Sequence, residues 1–336
     1  MSTLSFKFGL HLPGPTHTKR VPVLWDALFN AAAAVEPPFD PNAEGYLSAF
    51  RFDRGMMEHL KVNAGSAAGF AGAVWSNVLL FDLDRENLDD ALGDARRLVT
   101  VLLHRYTKLD DTEIALYFSG KKGVHIGLPL THRPDPGSTF HLTARTLAGR
   151  LAKLAGVVID GGIYDKVRPF RLPNSRHPKT GLHKIRLEHR ELMHLSADAV
   201  RKLAENPRPF DPPRLASELV TELEYDWNQA ADAAARQVSA KIAIRIEDVA
   251  AGGPDRLNRA TLDFIANGVG EGDRHRLLFS AACNLAEFGC PARLAFALLM
   301  PSALDSGLTP NDAGRQIECG LNAIVTPLPA GGCSGG

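Results

Sequence analysis

The sequence has no excess of charge, few cysteines and no long apolar run. Its 336 residues carry 38 Lys and Arg against 38 Asp and Glu, so a net basic field cannot be the whole basis of any nucleic-acid binding. The four cysteines, at positions 283, 290, 319 and 333, lack the close pairing of zinc knuckles, and we expect no structural zinc. No membrane-spanning run or secretory leader is visible, which predicts a cytoplasmic protein with no membrane partner.

The pattern of apolar residues changes about two thirds of the way along the chain. The row AVWSNVLLFDLD over 73–84 is typical of a strand, and a helical pattern follows from 86 to 106. Further elements expected upstream of the Pro-rich run ENPRPFDPP are a helix over 21–35, a hairpin of 114–118 with 124–128, a helix over 139–154 and a strand over 157–160. Beyond that run the pattern is helical almost throughout. The sequence predicts an α+β domain over 1–214, an all-α helix bundle over 215–325 and a disordered tail over 326–336.

Two acidic residues, Asp82 and Asp84, lie at the carboxyl end of the apolar strand. Side chains alternate across a strand, so residues two apart project from the same face. Paired carboxylates are typical ligands of Mg²⁺ and Mn²⁺ in enzymes of phosphoryl transfer. The alternative, that one carboxylate caps the following helix and the other is solvated, remains open on this pair alone.

The hairpin turn has the composition of an anion-binding loop. Ser119, Gly120, Lys121 and Lys122 precede Gly123, and the two glycines allow the backbone to present N–H groups to a phosphate. His125 follows on the next strand. A solvated basic turn and a structural histidine are the alternative interpretations.

A third segment combines an acidic residue with many cations. Asp160 ends the predicted strand, and residues 164–190 hold eight Lys and Arg against two Asp and Glu. Within this segment, the side chains suited to bind a triphosphate are those of Arg168, Arg171, His177 and Lys179. Taken separately, Asp160 could start a turn and the arginines could form a solvated face.

Taken together and in order, the segments FDLD, SGKKGVHI and IDGGIYDKVRPFRLPNSRHPKTGL resemble the three motifs of the archaeo-eukaryotic primase superfamily, which includes the primase-polymerases of phages and plasmids. The resemblance covers about residues 46–190, and the helical segment from GEGDRHRLLFSAACNLAEFG onward resembles the C-terminal helical domain of such primases. It implies a catalytic core with a mixed sheet like that of RNA-recognition motifs. It also implies catalytic metal ligands at Asp82, Asp84 and Asp160, which would hold two Mg²⁺ or Mn²⁺ ions.

The resemblance further implies a nucleotidyltransferase that synthesises primers de novo on single-stranded DNA and extends them from dNTPs or NTPs. Its nucleotide-binding residues would be Ser119, Gly120, Lys121, Lys122, His125, Arg168, Arg171, His177 and Lys179, with Arg51 as a further nucleotide or template contact. Alternatives are a polymerase that extends primers only, a catalytically silent single-strand-binding replication module, and a metal-dependent nuclease. The zinc module of many family members has no counterpart in residues 1–282, and no Walker-type motif is visible. A replicative helicase would therefore act as a separate partner or belong to a longer chain.

Overall fold

The computed structural model describes residues 6–10, 21–23, 25–67, 69–212, 218–250, 257–270 and 272–323. The chain divides into two compact units, Met1–Ser239 and Ala240–Gly336. The predicted tail at 326–336 lies outside the described residues. None of the described helices is both long and apolar enough to cross a membrane.

The described strands of the first unit form two antiparallel sheets. In chain order the strands are β1 Phe6–Leu10, β2 Val21–Val23, β3 Tyr46–Phe52, β4 Val74–Trp75, β5 Val78–Asp84, β6 Ala115–Phe118, β7 Gly123–Pro129, β8 Pro169–Arg171 and β9 Arg186–Leu187. One sheet has the order β2-β1-β3-β4, with β8 also paired to β3, and the other has the order β5-β7-β6-β9. All pairings between these described strands are antiparallel, whereas the resemblance implies a mixed sheet. The predicted hairpin is confirmed as β6 and β7.

The alternation of side chains along β5 separates a core face from a polar face. Leu79, Phe81 and Leu83 are almost fully buried, whereas Asp82 is half-buried and Asp84 is exposed on the opposite face. Burial of one apolar face against helices is what fixes the register of such a strand. The two carboxylates therefore share one face, as their spacing predicts.

Helices α3 and α4 pack against the second sheet. The first six α-helices, all in the first unit, are α1 Trp25–Ala34, α2 Arg54–Val62, α3 Leu88–Arg105, α4 Phe140–Ala155, α5 His189–His194 and α6 Ala197–Leu203. Helix α3 begins after Asn87, whose side-chain oxygen accepts a hydrogen bond from the Asp90 N–H at 2.9 Å. Leu92, Leu98 and Leu102 of α3 are fully buried at helical spacing, which confirms the helix predicted for 86–106.

The helical pattern of the last third of the chain is also confirmed. It forms α7 Thr221–Ala250, α8 Arg259–Asn267, α9 Arg274–Glu287, α10 Ala292–Asp305 and α11 Pro310–Asn322. Helices α9 and α11 approach closely at Gly320, where an added Cβ would stand 2.8 Å from the Phe279 carbonyl oxygen. The α+β class is therefore confirmed. Trp227 of α7 packs in the core of the first unit, and the predicted functional boundary at 214/215 stays a prediction.

Three local predictions are wrong. The row 73–84, expected to form one strand, is divided into β4 and β5, which belong to different sheets. The two strands are separated at Ser76, whose hydroxyl accepts from the Val78 N–H at 3.1 Å and competes with strand pairing.

Residues 21–23 form the edge strand β2 instead of the first turn of a helix. The β-branched valines favour a strand, and an edge position tolerates Pro22, which lacks an N–H. Residues 157–160 do not form a strand in the structure. Nevertheless, the Asp160 N–H donates to the Asp82 carbonyl oxygen at 2.9 Å, so the end of this segment lies beside the end of β5.

Candidate active site

Three carboxylates lie around the carboxyl end of β5. Asp82 and Asp84 project from one face of the strand, and the backbone bond from Asp160 to Asp82 brings the third acidic residue beside them. Burial, followed by the negative charges of Asp160 and Asp84, raises the pKa of Asp82 to about 7, against the opposing charges of Lys184 and Arg168. The three predicted metal ligands are therefore within electrostatic reach of one another.

The donor chemistry of these carboxylates fits a hard divalent cation. All three offer oxygen ligands, and their mutual repulsion is a charge excess that a cation would relieve. As placed, Asp84 lies 3.5 Å from the Lys122 ammonium, and Asp160 accepts a hydrogen bond from the Gly162 N–H at 2.7 Å. Within the described ranges, no three His, Cys, Asp or Glu side chains form a closed metal-binding group. Asp84 and Asp160 would have to exchange these partners to bind a cation together.

His125 lies directly opposite Asp82 in the pairing of β5 with β7. Its Nε2 is 3.5 Å from the Asp82 Oδ1, and its ring packs on Phe170 with centroids 4.2 Å apart. Burial, followed by the charges of Lys184 and Arg171, holds the pKa of His125 well below its usual range. His125 is therefore a neutral imidazole, and its buried Nδ1 has no hydrogen-bond partner among the described residues.

The turn from Ser119 to Gly123 connects the carboxylates to the basic segment. Ser119 closes the turn, because its hydroxyl accepts from the Gly123 N–H at 3.1 Å. Gly120 adopts a φ of 90°, a conformation that residues with a Cβ disfavour. Its carbonyl accepts from the Thr180 hydroxyl at 2.5 Å. Lys122 lies beside Asp84. The turn therefore contacts the carboxylates through Lys122 and the basic segment through Thr180.

Four basic side chains converge on the other side of this turn. Burial lowers the pKa of His177, and the charges of Arg171, Lys121 and Lys179 lower it further, which shows that these groups lie near one another. Arg171 is held in place by the Tyr46 hydroxyl, which accepts from its Nη2 at 2.9 Å, and by Glu44 at 3.4 Å. We call Lys121, Arg171 and Lys179, together with the neutral imidazole of His177, the cationic cluster.

A cavity of about 480 Å³ opens between the two sheets. The predicted residues His125, Arg171 and Arg51 lie on its wall, together with several residues that sequence reasoning did not select, among them Ser48, Tyr117, Phe170 and Lys184. Gly127 also lines it, at a position where a Cβ would stand 2.8 Å from the Val78 Cγ1 and could not be added without displacing its neighbours. Lys184 appeared in the sequence only as one member of the basic segment, and nothing in the row LHKIRLE marks it as buried.

The segment between Arg171 and His177 is fixed by Asn174. This residue is fully buried at a φ of 60°. Its amide donates to the carbonyls of Ala32 at 2.9 Å and Arg208 at 3.0 Å, and its side-chain oxygen accepts from the Arg208 N–H at 2.8 Å. Asparagine tolerates this left-handed conformation better than other side chains, so it both shapes and anchors the segment.

Asn174→Ala is expected to lower the free energy of unfolding by about 3 kcal/mol, because it strains the backbone and leaves buried polar groups without partners. Urea unfolding followed by far-UV circular dichroism measures the change. Asn42→Ala, at an exposed position, is the control. Equal unfolding midpoints for the two variants would contradict the anchoring role.

Comparisons with known proteins yield one distant structural neighbour. No family model matches the chain, and no curated protein matches it. A solved structure described as the crystal structure of primase RepB′ aligns over 97% of this chain and 91% of that chain, with 12% sequence identity and a TM-score of 0.29. A superposition this loose does not support a residue-by-residue comparison.

Proposed function

We propose that this protein is a nucleotidyltransferase of the primase-polymerase type, which synthesises primers on single-stranded DNA and extends them. The observation that carries the proposal is the position of the Asp82, Asp84 and Asp160 carboxylates beside the cationic cluster, with the Ser119–Gly123 turn between them. Nucleotidyl transfer needs both groups: carboxylates that hold metal ions at the reacting phosphate, and cations that bind the rest of the triphosphate. The order of the three sequence motifs supports the same function.

The cationic cluster would bind the triphosphate. Arg171 is pre-oriented by Tyr46 and Glu44 and offers a forked donor, while Lys121 and Lys179 are exposed point charges. Ser119, Gly120 and Lys122 would contact the same phosphates from the turn. Arg168, whose charge acts on Asp82, would lie nearest the reacting phosphate, and Arg51 would contact the nucleotide or the template.

The reaction joins a primer 3′-hydroxyl to the α-phosphorus of the incoming nucleotide. The new P–O bond forms as the bond to the β-phosphate oxygen breaks, pyrophosphate leaves, and the hydroxyl proton passes to water. Mg²⁺ or Mn²⁺ held by Asp82, Asp84 and Asp160 would activate the hydroxyl and stabilise charge on the phosphates. Neutral His125 would donate a hydrogen bond to the nucleotide without adding charge.

The alternative functions make different use of the same residues. A metal-dependent nuclease needs the carboxylates, but it has no use for a triphosphate-sized cationic cluster. A silent single-strand-binding module would need the cations, but it has no reason to hold three repelling carboxylates together. A polymerase that only extends primers would use both groups, so experiment has to separate it from a primase.

Incubation with unprimed single-stranded DNA, labelled dNTPs or NTPs and Mg²⁺ or Mn²⁺ tests the proposal. We expect short products on a denaturing gel that depend on metal and on template. Products that form only when a primer is supplied would restrict the protein to extension. The absence of product even with a primer would overturn the proposed enzymatic function and favour the binding module.

A further inference from the structure

Lys184 is a buried cation inside the candidate site. It is 2% exposed, and its ammonium donates to the Arg171 carbonyl at 2.7 Å. The ammonium also lies 4.4 Å from the ring centroid of Phe170 and 4.9 Å from that of Tyr117. No ion pair joins it to a carboxylate in the part of the chain that the structure describes.

The environment of Lys184 replaces its hydration only in part. Burial of an ammonium is unfavourable unless hydrogen bonds and charges compensate for the lost water. Here one carbonyl, two aromatic faces and the negative charge of Asp82 compensate in part, through a hydrogen bond, two cation–π contacts and an electrostatic attraction. Burial, followed by the charge of Arg171, still lowers the pKa of Lys184 to about 7. An apolar residue would fill the same space without this cost, so the ammonium points to a role beyond packing.

The contacts of Lys184 reach two separate parts of the nucleotide-binding side. Through the carbonyl of Arg171 it holds the end of β8, from which the Arg171 side chain projects. Through Phe170 it supports the ring on which His125 packs at 4.2 Å. Its backbone binds the intervening segment as well, since its N–H donates to Ser175 at 3.1 Å and its carbonyl accepts from Asn174 at 2.6 Å.

We propose that Lys184 is a positioning residue of the nucleotide site, which holds Arg171 and His125 in the arrangement that receives the triphosphate. The inference rests on the proposed function, because it presumes that these two side chains contact nucleotide. It assigns Lys184 no contact with the reacting atoms. Lys184 would thus align two groups: the Arg171 guanidinium on β8, which donates hydrogen bonds to phosphate, and the neutral His125 imidazole on β7.

Lys184→Met tests the proposal, since methionine is similarly long and unbranched but lacks the charge and the donor. We expect binding of a non-hydrolysable nucleoside triphosphate, measured by calorimetry with Mg²⁺ and without template, to weaken by about tenfold, as for other residues that orient a binding group. We also expect the imidazole NMR signals of His125 to move in the nucleotide-free protein. A His125→Gln variant assigns those signals.

Two further variants separate positioning from a loss of folding. Lys202→Met removes an exposed lysine and should change neither measurement. Phe170→Leu removes the ring between Lys184 and His125 and should move the His125 signals and weaken binding even if Lys184→Met does not fold.

The outcomes distinguish failure of this inference from failure of the proposed function. Wild-type affinity together with unmoved His125 signals, in Lys184→Met or in Phe170→Leu, would overturn the positioning role. A wild-type protein that binds no triphosphate would instead overturn the proposed function. In that case the NMR signals would still show whether Lys184 orients His125.

Discussion

Asp82→Asn is expected to reduce nucleotidyl transfer by at least about a thousandfold, because in the proposed mechanism it removes a charged metal ligand beside the reacting phosphate. Asparagine has nearly the same shape as aspartate, so the packing of β5 is retained. Asp82 is also the most buried of the three carboxylates and lies between His125 and Asp160. Its loss therefore affects the centre of the site instead of its edge.

The same substitution is expected to make the protein more stable at high pH. The pKa of Asp82 in the folded protein is raised to about 7, whereas an Asp in an unfolded chain titrates near 4. The folded state therefore holds a proton that the unfolded state has lost, and stability falls as pH rises from about 4 to 7. The asparagine side chain does not ionise, so the variant should exceed the wild type by about 2 to 4 kcal/mol at pH 8, measured without metal. The difference should disappear towards pH 4.

Asp89→Asn is the control for both effects. Asp89 is exposed in the first turn of α3, so its replacement should leave transfer and the pH dependence of unfolding nearly unchanged. Steady-state incorporation of labelled nucleotide and urea unfolding between pH 4 and pH 8 give the two readouts. Wild-type activity in Asp82→Asn would show that the Asp82 carboxylate is not required for nucleotidyl transfer and would contradict the proposed mechanism.

The second large effect is expected when Lys121 and Lys179 are both replaced by glutamine. Both are exposed and both act on His177, so they would bind the phosphates of the incoming nucleotide. Charge-assisted contacts to phosphate that persist from ground state to transition state raise KM when they are lost. We expect KM for the nucleotide to rise by about a hundredfold with a much smaller change in kcat.

A matched pair of lysines controls for the loss of two positive charges. Lys108 and Lys202 are exposed and lie outside the basic segment, so their double replacement by glutamine changes net charge equally. The control should keep the wild-type KM at moderate salt, where distant charges are screened. An equal rise of KM in both double variants would show that the effect is one of net charge and not of the cationic cluster.

Much of the local structure follows from the sequence because its signals are local. The apolar alternation over 78–84, the Gly-containing turn between β6 and β7 and the periodicity of α3 each specify an element within a short window. The division of 73–84 into two strands of different sheets is not visible in that alternation. Strand alternation also predicts correctly that Asp82 and Asp84 share a face. Where the signal is ambiguous the prediction fails: the valines around Pro22 extend an adjacent helical pattern, yet pairing with β1 makes them a strand.

The part of the site that sequence reasoning missed depends on contacts between distant residues. Lys184 resembles any surface lysine in its row, and only the approach of β8 and β6 places its ammonium between Phe170 and Tyr117. Glu44 and Tyr46 carry no motif, but pairing of β3 with β8 brings them to Arg171. The resemblance implies that Asp160 lies beside Asp82, but no pattern over 157–160 specifies the backbone hydrogen bond that joins them.

The most direct test of the proposed activity uses a 5′-labelled primer annealed to a longer DNA template. The protein is added with Mn²⁺ in the presence or absence of dNTPs, and the labelled strand is resolved on a denaturing gel. We predict that the primer lengthens stepwise only when metal and nucleotide are both present, and that Asp82→Asn does not lengthen it. Shortening of the labelled strand by metal alone would contradict this account and identify a nuclease.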